Sequence, residues 1–432
     1  MIRRPLVRKP ARRLAMPLAA AALLSSADLY ARRWLVDAAR GFVDPALSYT
    51  RSGAIYTQQA DGTLLAVPAN TPPRAYDATL GWHYRQDPSY TQRLLQTHAL
   101  ATTWTKAATN NPTQTAAGPN GATDAWAVTE DTAASANHNL NQSASFTSGQ
   151  AYCLMAVAAP RTGDRFLQLV LPSAAFGSNA VACFNLATGA NQKNGTATAC
   201  GAVQLANGYW LCWVTGTATA TAAGNSQLRL SDSYIITPST YTGNGTSGIN
   251  VWAANLTDTP YPVPLSLATT GTVTIGAPSW TGTLSGLGVT LGSEYTVGAE
   301  AFYLSATWAA AHRILRLDDG TDANAVQLQR ASTTATDGGL VTTASADVYA
   351  PSAAGAYSSS RKMAMRLAAN DCRFAAAGAL QAASGSAALP SGLANVRLGH
   401  GLAGANQLAG GIARAWISLK SLTDAQLQAV TA

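Results

Sequence analysis

The chain has 432 residues, enough for two or three domains with hydrophobic cores, which excludes a single small module. Only 11% of the residues are charged, and Ala, Thr, Gly, Ser and Asn fill the space between short apolar runs, a composition that favours turn-rich all-β structure over helical bundles. The net charge is +7, but six basic residues lie within residues 1–13 with no acid, so the remainder carries +1 and the folded domains are not expected to bind nucleic acid.

Residues 1–44 are predicted to form an attachment arm with a short helix. The segment has the basic start, the apolar run (Leu14 to Leu24) and the small residues of an export signal, but three prolines interrupt it. Ser26 as N-cap and Gly41 as stop predict a helix between them. We interpret the segment as an arm that docks on a partner, with a cleaved export signal as the alternative. The residues proposed for attachment are Arg3, Arg4, Arg8, Lys9, Arg12, Arg13, Leu18, Leu23, Leu29 and Trp34.

Residues 45–99 are predicted to form a β neck. The short apolar runs on either side of Asp61-Gly62 predict a β-hairpin, because Asp-Gly is a favoured two-residue turn. Several prolines follow, and they predict an irregular connector to the next domain.

Residues 100–264 carry short apolar runs at regular spacing, separated by clusters of Gly, Asn, Pro and Thr. This pattern is typical of a β-sandwich or jelly roll. The runs are AYCLMAVAA, RFLQLVL, AVACFNL, YWLCWVTGTAT, QLRLSDSYII and GINVWAANL.

Residues 265–432 carry a second series of such runs, which does not repeat the first. Thr423 and Gln426 form a capping-box pattern that predicts one short helix at the C-terminal end. The expected fold is therefore all-β, with two β-sandwich (jelly-roll) domains in tandem after the N-terminal arm. The runs of this series include YTVGAEAFYLSATW, RILRLDDG, KMAMRLAA, NVRLGH and GGIARAWISLK.

Three groups of motifs, in this order along the chain, resemble parts of bacteriophage tail and fibre proteins. YTRSGAIYTQQADGTL followed by PPRAYD resembles their neck. ATTWTKAATNNPTQTAAGPNGATDAWAVTEDT, and GYWLCWVTGTATAT with YTGNGTSGINVWAANL, are similar to the carbohydrate-binding-module-like jelly roll that follows this neck. RILRLDDGTDANAVQLQ and LANVRLGHGLAGANQLAGGIARAWISLKSLTDAQLQAVT are similar to the terminal strands and helix of concanavalin-like or laminin-G-like domains. One block, YTQRLLQTHAL, departs from the family pattern because it lacks acidic residues.

The resemblance implies a phage virion structural protein, a tail fibre or related appendage, assembled in the host cytoplasm. Its arm would bind other virion proteins, and its sandwiches would bind host-surface polysaccharide. A homotrimer is the first expectation and a dimer the second, because weak lectin contacts need avidity. Two alternatives remain open: a head fibre or baseplate adaptor that binds only virion proteins, and a secreted bacterial lectin or glycan-active enzyme.

The sequence offers no pattern for catalysis or for a cofactor. Concanavalin-like glucanases carry an E-x-D-x-x-E strand, whereas Glu294 and Glu300 are six residues apart, about 20 Å at the rise of a strand, which makes them a poor acid and base pair. No G-x-S-x-G elbow occurs, and the five histidines are scattered without metal-ligand spacing. We expect no enzymatic activity and no cofactor.

The loop LDDGTDAN is a weak calcium candidate. Asp318, Asp319 and Asp322 supply carboxylate oxygens of the kind that calcium binds. The alternative is a polar turn between strands, in which Asp, Gly and Asn are common for conformational reasons. Because no bidentate Glu completes the ligand set, we favour the turn and expect no metal.

Exposed aromatic rings are the remaining candidates for ligand contact, since sugar rings stack on Trp and Tyr faces. Most tryptophans are expected to lie in the cores. In YWLCWV, the two-residue period of a strand places the two tryptophans on opposite faces, so that one ring can be exposed. The glycan-binding candidates are Trp126, Trp210, Trp213 and Trp252.

The five cysteines include no C-x-x-C pair, so neither a zinc site nor a redox motif is expected. Four of them fall within residues 153–212, where a disulfide would be compatible with an exported protein. Buried thiols in a reducing compartment are the favoured interpretation.

Overall fold

Short apolar runs separated by turn residues form β-strands in all parts of the chain that are described. The computed structural model of the protein describes residues 32–237, 240–304, 311–331, 336–355 and 359–432. The attachment residues proposed between Arg3 and Leu29 lie outside this part of the chain. The strands before residue 100 are β1 (Arg32–Asp37), β2 (Phe42–Val43), β3 (Ser48–Thr50), β4 (Ile55–Gln58), β5 (Leu64–Val67), β6 (Arg74–Asp77), β7 (Gly81–Gln86) and β8 (Tyr90–Gln92).

The described residues form twelve further strands between residues 100 and 264 and thirteen after them. The first group comprises β9 (Thr105–Ala107), β10 (Thr113–Ala116), β11 (Ala125–Thr129), β12 (Asn139–Phe146), β13 (Ala151–Pro160), β14 (Phe166–Leu171), β15 (Ala180–Phe184), β16 (Asn191–Gly195), β17 (Ala197–Gln204), β18 (Trp210–Thr217), β19 (Ala222–Ser231) and β20 (Gly248–Thr257). The second comprises β21 (Val273–Ile275), β22 (Ser279–Thr283), β23 (Glu294–Tyr303), β24 (His312–Asp318), β25 (Ala325–Arg330), β26 (Thr336–Thr343), β27 (Ala346–Tyr349), β28 (Ser352–Ala354), β29 (Arg361–Ala368), β30 (Arg373–Ala376), β31 (Ala379–Leu380), β32 (Asn395–Leu398) and β33 (Gly410–Ser418).

Helices contribute little to the described structure. The α-helices are α1 (Ser173–Phe176) and α2 (Asp424–Thr431), and there are two single turns of 3₁₀-helix, Ala206–Gly208 and Leu402–Gly404. No helix in the described ranges is long and apolar enough to cross a membrane. The predicted all-β class is therefore confirmed.

The first sandwich consists of two antiparallel sheets. Sheet I has the strand order β10-β11-β20-β13-β18-β17, with β8 paired to β20 and β21 paired to β8. Sheet II has the order β16-β15-β14-β19-β12-β9. Side chains alternate between the two faces of each strand, so Leu167, Leu169 and Leu171 of β14 all enter the core between the sheets. The residues between them point to the outer face of sheet II.

The second sandwich also consists of two antiparallel sheets. Sheet III has the order β2-β1-β33-β23-β29-β30-β31, with β7 paired to β33 and β6 paired to β7. Sheet IV has the order β27-β26-β25-β24-β32-β22-β3, with β28 beside β26. Val297, Leu328 and Met365 belong to the shared core.

The predicted capping box is confirmed: Thr423 accepts from the Gln426 amide at the start of α2, and the Gln426 side chain accepts from the Thr423 amide.

The predicted helix after Ser26 is wrong in its described part, because Arg32–Asp37 form strand β1. This strand pairs with β33, and a bulge between Trp34 and Val36 interrupts the alternation of its side chains. Leu35 and Val36 are consequently both buried, a pair of adjacent apolar residues that imitates a helical pattern. Trp34 itself packs with Trp416 and the apolar residues around α2, so its ring contacts its own chain.

The residues of the predicted neck supply strands to both sandwiches. β3 joins sheet IV and β7 joins sheet III, whereas β8 pairs with β20 and β21 in sheet I. The expected hairpin is present as β4 and β5, and it packs on the outer face of sheet I together with residues 261–275. The predicted domain boundaries remain a prediction about independent folding units.

All five cysteines are free thiols. Burial raises the pKa of Cys183 to about 12, which keeps the thiol protonated. Cys153 and Cys212 are also buried in strands of sheet I. These three thiols therefore pack as small apolar side chains, whereas Cys200 is half-buried and donates to Asn191.

Candidate functional site

The four tryptophans proposed for glycan contact do not form a shared platform. Trp126 and Trp210 pack against the core of the first sandwich, whereas Trp213 and Trp252 pack on the other face of sheet I. Trp252 has 0% exposed surface and donates from Nε1 to Asp124 at 3.0 Å. A ring without an exposed face cannot stack on a sugar, so the proposal for Trp252 is wrong.

The other three rings are half-buried and are held by their own chain. Trp126 donates to the carbonyl of His98 at 2.7 Å. Trp210 lies so close to Gly189 that an added Cβ would sit 2.3 Å from the ring, and Trp213 lies on Gly201 in the same way, at 2.6 Å. A larger residue at position 189 or 201 would clash with the indole, which explains why glycine occurs there. The two rings therefore have a packing role.

The aspartates of the loop at residues 317–324 form ion pairs with arginines or hydrogen bonds within the turn. Asp318 pairs with Arg316 and Arg397, each at 2.8 Å. Asp319 accepts from the Thr321 amide, as a turn aspartate does, and Asp322 pairs with Arg316 at 2.7 Å. Within the described residues, no group of three His, Cys, Asp or Glu side chains could hold a metal ion.

Glu294 and Glu300 lie on one strand, β23, but their carboxylates do not converge. Trp416 packs flat over Gly298 between them, and a Cβ on that glycine would sit 2.1 Å from the indole. Glu300 accepts from Ser360 at 3.0 Å and lies 3.5 Å from Arg414. Glycoside hydrolysis requires two carboxylates on either side of the scissile bond, whereas these two lie at the start and in the second half of the same strand.

A surface that was not predicted from the sequence has the most unusual chemistry. On the outer face of sheet II, Asn139, Arg229 and Gln168 lie directly opposite one another on β12, β19 and β14. In the next row Asn141 lies opposite Gln227. We call this surface the amide face; its members are Asn139, Asn141, Gln168, Gln192, Gln227 and Arg229.

The amide face becomes more buried along the strands. Ser143 and Asn225 at one end are exposed, Asn141 and Gln227 are half-buried, and Arg229 is only 5% exposed. Polar side chains thus form a graded path from solvent to a buried guanidinium.

Arg229 is the electrostatic anomaly of this surface. Its Nη2 donates to Gln227 Oε1 at 2.7 Å, but the buried Nε and Nη1 have no hydrogen-bond partner among the described residues. Burial without an opposing charge lowers the pKa of Arg229 below its ordinary value. A buried cation without a counter-charge destabilises the fold, so its presence calls for a functional explanation.

Glu130, a buried ion of the same sandwich, is paired in the usual way. Glu130 is fully buried and receives two hydrogen bonds from Arg165, at 2.6 and 2.7 Å, one from Tyr241 and one from the Asn244 amide. Burial by itself raises the pKa of Glu130, but these donors outweigh it and hold the pKa below its ordinary value. In the described part of the chain, no carboxylate pairs with Arg229 in this way.

Two aromatic rings border the amide face. Phe166 precedes Gln168 by two residues on β14, so it points to the same side, and its ring lies 5.7 Å from that of Tyr234. Both rings are half-buried. Residues 232–237 run over this half of the face, where Gln168 donates to the carbonyls of Ile235 and Thr237 at 2.8 and 3.2 Å. The Gln168 Oε1 atom is buried and without a partner in the described structure.

The comparisons with known proteins are distant. No family model and no curated protein matches the chain. The carbohydrate-binding module CBM40 of a Ruminococcus gnavus IT-sialidase, solved with α2,3-sialyllactose, is 22% identical over 32% of this chain and 83% of that one, with a TM-score of 0.28. Domain 4 of AbnA, a GH43 arabinanase of Geobacillus stearothermophilus solved with arabinotriose, is 12% identical over 36% and 73%, with a TM-score of 0.29.

The mouse laminin α1 domains LG4-5 are 9% identical over 68% of this chain and 88% of that one, with a TM-score of 0.24. TM-scores below 0.3 do not indicate a shared function.

Proposed function

We propose that the protein is a non-catalytic attachment protein that binds an acidic surface polysaccharide through the amide face of the first sandwich. The observation that carries this proposal is the buried guanidinium of Arg229, which has no counter-charge and two unused donor atoms among the residues that the structure describes. A sugar carboxylate supplies what is missing, because guanidinium and carboxylate form parallel, charge-assisted hydrogen bonds.

The rest of the amide face suits the other groups of a sugar. Amide side chains both donate to and accept from hydroxyl groups, and Asn141 and Gln227 offer them on the solvent side of Arg229. In this proposal the ligand carboxylate displaces the Gln227 amide from Nη2 and also reaches Nη1. The half-buried Phe166 and Tyr234 rings offer an apolar edge for the C–H groups of a neighbouring sugar.

The wider setting of this activity is a proposal that rests on the motif order along the chain. We propose a phage tail fibre or related appendage that is assembled in the host cytoplasm, remains on the virion and acts as a homotrimer. A head fibre or adaptor that binds only virion proteins, or a secreted bacterial lectin or glycan-active enzyme, are the alternatives. Mass spectrometry of the mature N-terminus distinguishes the secreted protein from the virion proteins, because a start near Asp28 indicates that an export signal was removed.

Binding to matched ligand pairs tests the function. Isothermal titration with 3′-sialyllactose and lactose, and with oligogalacturonate and its carboxyl-reduced form, compares a carboxylate with its neutral counterpart on the same sugar frame. We expect at least one acidic member to bind and its neutral partner to bind more weakly. Product analysis after long incubation is expected to find no cleavage.

Variants at two arginines assign the binding to the amide face. Arg229→Gln is expected to weaken acidic binding about 10- to 100-fold, the effect of losing hydrogen bonds to a charged group. The matched control is Arg161→Gln, which alters a half-buried arginine of the same sandwich outside the amide face. Equal loss in both variants, or no preference for the acidic ligands, contradicts the proposal.

A further inference from the structure

The second sandwich has a pocket of about 540 Å³ at one end. It lies where β22 and β32 of sheet IV approach β23 of sheet III, between residues 283–293 and residues 389–394. The volume is in the range of small-molecule sites. None of the lining residues carries a formal charge.

Hydroxyl groups and free backbone groups dominate the polar surface of this pocket. In the described structure, residues 290–293 and 389–393 make no backbone–backbone hydrogen bond. Their carbonyls, and the amides of all of them except Pro390, are therefore available to a ligand. Leu291, Leu389 and Leu393 supply apolar wall. The hydroxyl side chains that line the pocket are Thr283, Ser285, Thr290, Ser293 and Ser391.

Tyr295 adds a buried polar group to the inner wall. Its side chain is 2% exposed, and its hydroxyl has no hydrogen-bond partner among the described residues. Burial raises the pKa of Tyr295 well above its ordinary value, so the hydroxyl remains a neutral donor. A buried hydroxyl without a partner is unfavourable, and a ligand that accepts from it gains affinity.

We propose that this pocket is a second carbohydrate site, which takes a neutral sugar residue. A charged ligand would lose its hydration without meeting an opposite charge, so the uncharged lining excludes it. A polyol matches the mixture of hydroxyl, amide and carbonyl groups, while the leucines contact its C–H face. This site lies in the other sandwich and differs in charge preference from the amide face, so it extends the proposed function and does not depend on it.

Pocket blocking at a glycine tests the site without disturbing the fold. Gly292 has an ordinary backbone conformation, and an added Cβ would meet only the Glu294 carbonyl, at 3.9 Å. Because Gly292 lines the pocket and has room for a side chain, Gly292→Leu is the variant designed to obstruct the pocket. The control is Gly271→Leu, at a glycine with no atom within 4 Å of the added Cβ and outside the pocket.

The probes are glucose, galactose, mannose and N-acetylglucosamine, measured by saturation-transfer NMR on the full chain. We expect at least one to bind the unaltered protein and the Gly271→Leu variant, but not Gly292→Leu. Tyr295→Phe should weaken binding about two- to tenfold while leaving the melting temperature unchanged or higher. If none of the four sugars binds, or if Gly292→Leu binds like the control, the proposal is overturned.

These variants can refute the proposal for one site without refuting the proposal for the other. Arg229→Gln should leave neutral-sugar binding intact, and Gly292→Leu should leave acidic-ligand binding intact. Loss of both activities in either variant contradicts the assignment of two independent sites.

Discussion

Replacement of Arg229 by methionine should make the protein more stable and unable to bind acidic glycans. Methionine keeps an unbranched apolar stem of similar length in a site that is 5% exposed. It removes the charge and the two buried donors, Nε and Nη1, that have no partner among the described residues. A residue retained for packing alone would behave in the opposite way.

The expected gain follows from the contacts of Arg229. Each unsatisfied buried donor costs about 1–3 kcal/mol, and the lost hydrogen bond to Gln227 was worth about 1.5–3 kcal/mol. The difference favours the variant by about 1–3 kcal/mol, equivalent to a rise in Tm of about 2–12 °C for a domain of this size.

Thermal unfolding followed by circular dichroism measures this effect. The matched comparison is Arg165→Met in the same sandwich, which leaves the buried Glu130 carboxylate without its partner and should destabilise by about 3–5 kcal/mol. If Arg229→Met is destabilised to the same degree as Arg165→Met, Arg229 has a structural role and the reasoning is refuted.

Three further outcomes follow from the same contacts. Gln227→Glu places a carboxylate beside Arg229, so isothermal titration should find that acidic-ligand binding is abolished. Thermal melts should find a free energy of unfolding higher by about 1 kcal/mol, a small gain because residue 227 is half-exposed. Burial lowers the pKa of His83 to about 4, so the native state resists protonation, and stability should fall as the pH drops from about 6.5 towards 4 in pH-dependent melts; a flat profile contradicts this. Glu130→Gln should cost about 3 kcal/mol in chemical denaturation and should flatten the acid limb below pH 4.5, because the ionised carboxylate stabilises the fold only above its depressed native pKa.

The strand content could be predicted from the sequence because alternation and turn residues are local signals. The runs around β13, β14 and β18 and the capping box of α2 were found in this way. The strand β1 was missed because a bulge puts two adjacent residues on the buried side. The pairing of the neck strands with both sandwiches depends on contacts more than 150 residues apart, for which one sequence carries no local signal.

The amide face could be predicted only in part. Alternation in QLRLS places Gln227 and Arg229 on the face opposite to the core leucines, and this signal was available. The sequence does not indicate which outer sheet face is covered, because the β4–β5 hairpin that packs on sheet I comes from a distant part of the chain. The same hairpin layer buries Trp252. The presence of tryptophan in a strand therefore does not by itself indicate an exposed binding surface.

A structure of the protein bound to its acidic oligosaccharide tests the central claim most directly. We expect a ligand carboxylate on Arg229, with oxygen atoms about 2.7–2.9 Å from Nη1 and Nη2 and with Gln227 displaced. A bound oligosaccharide elsewhere on the molecule, with Arg229 still bonded only to Gln227, would contradict it.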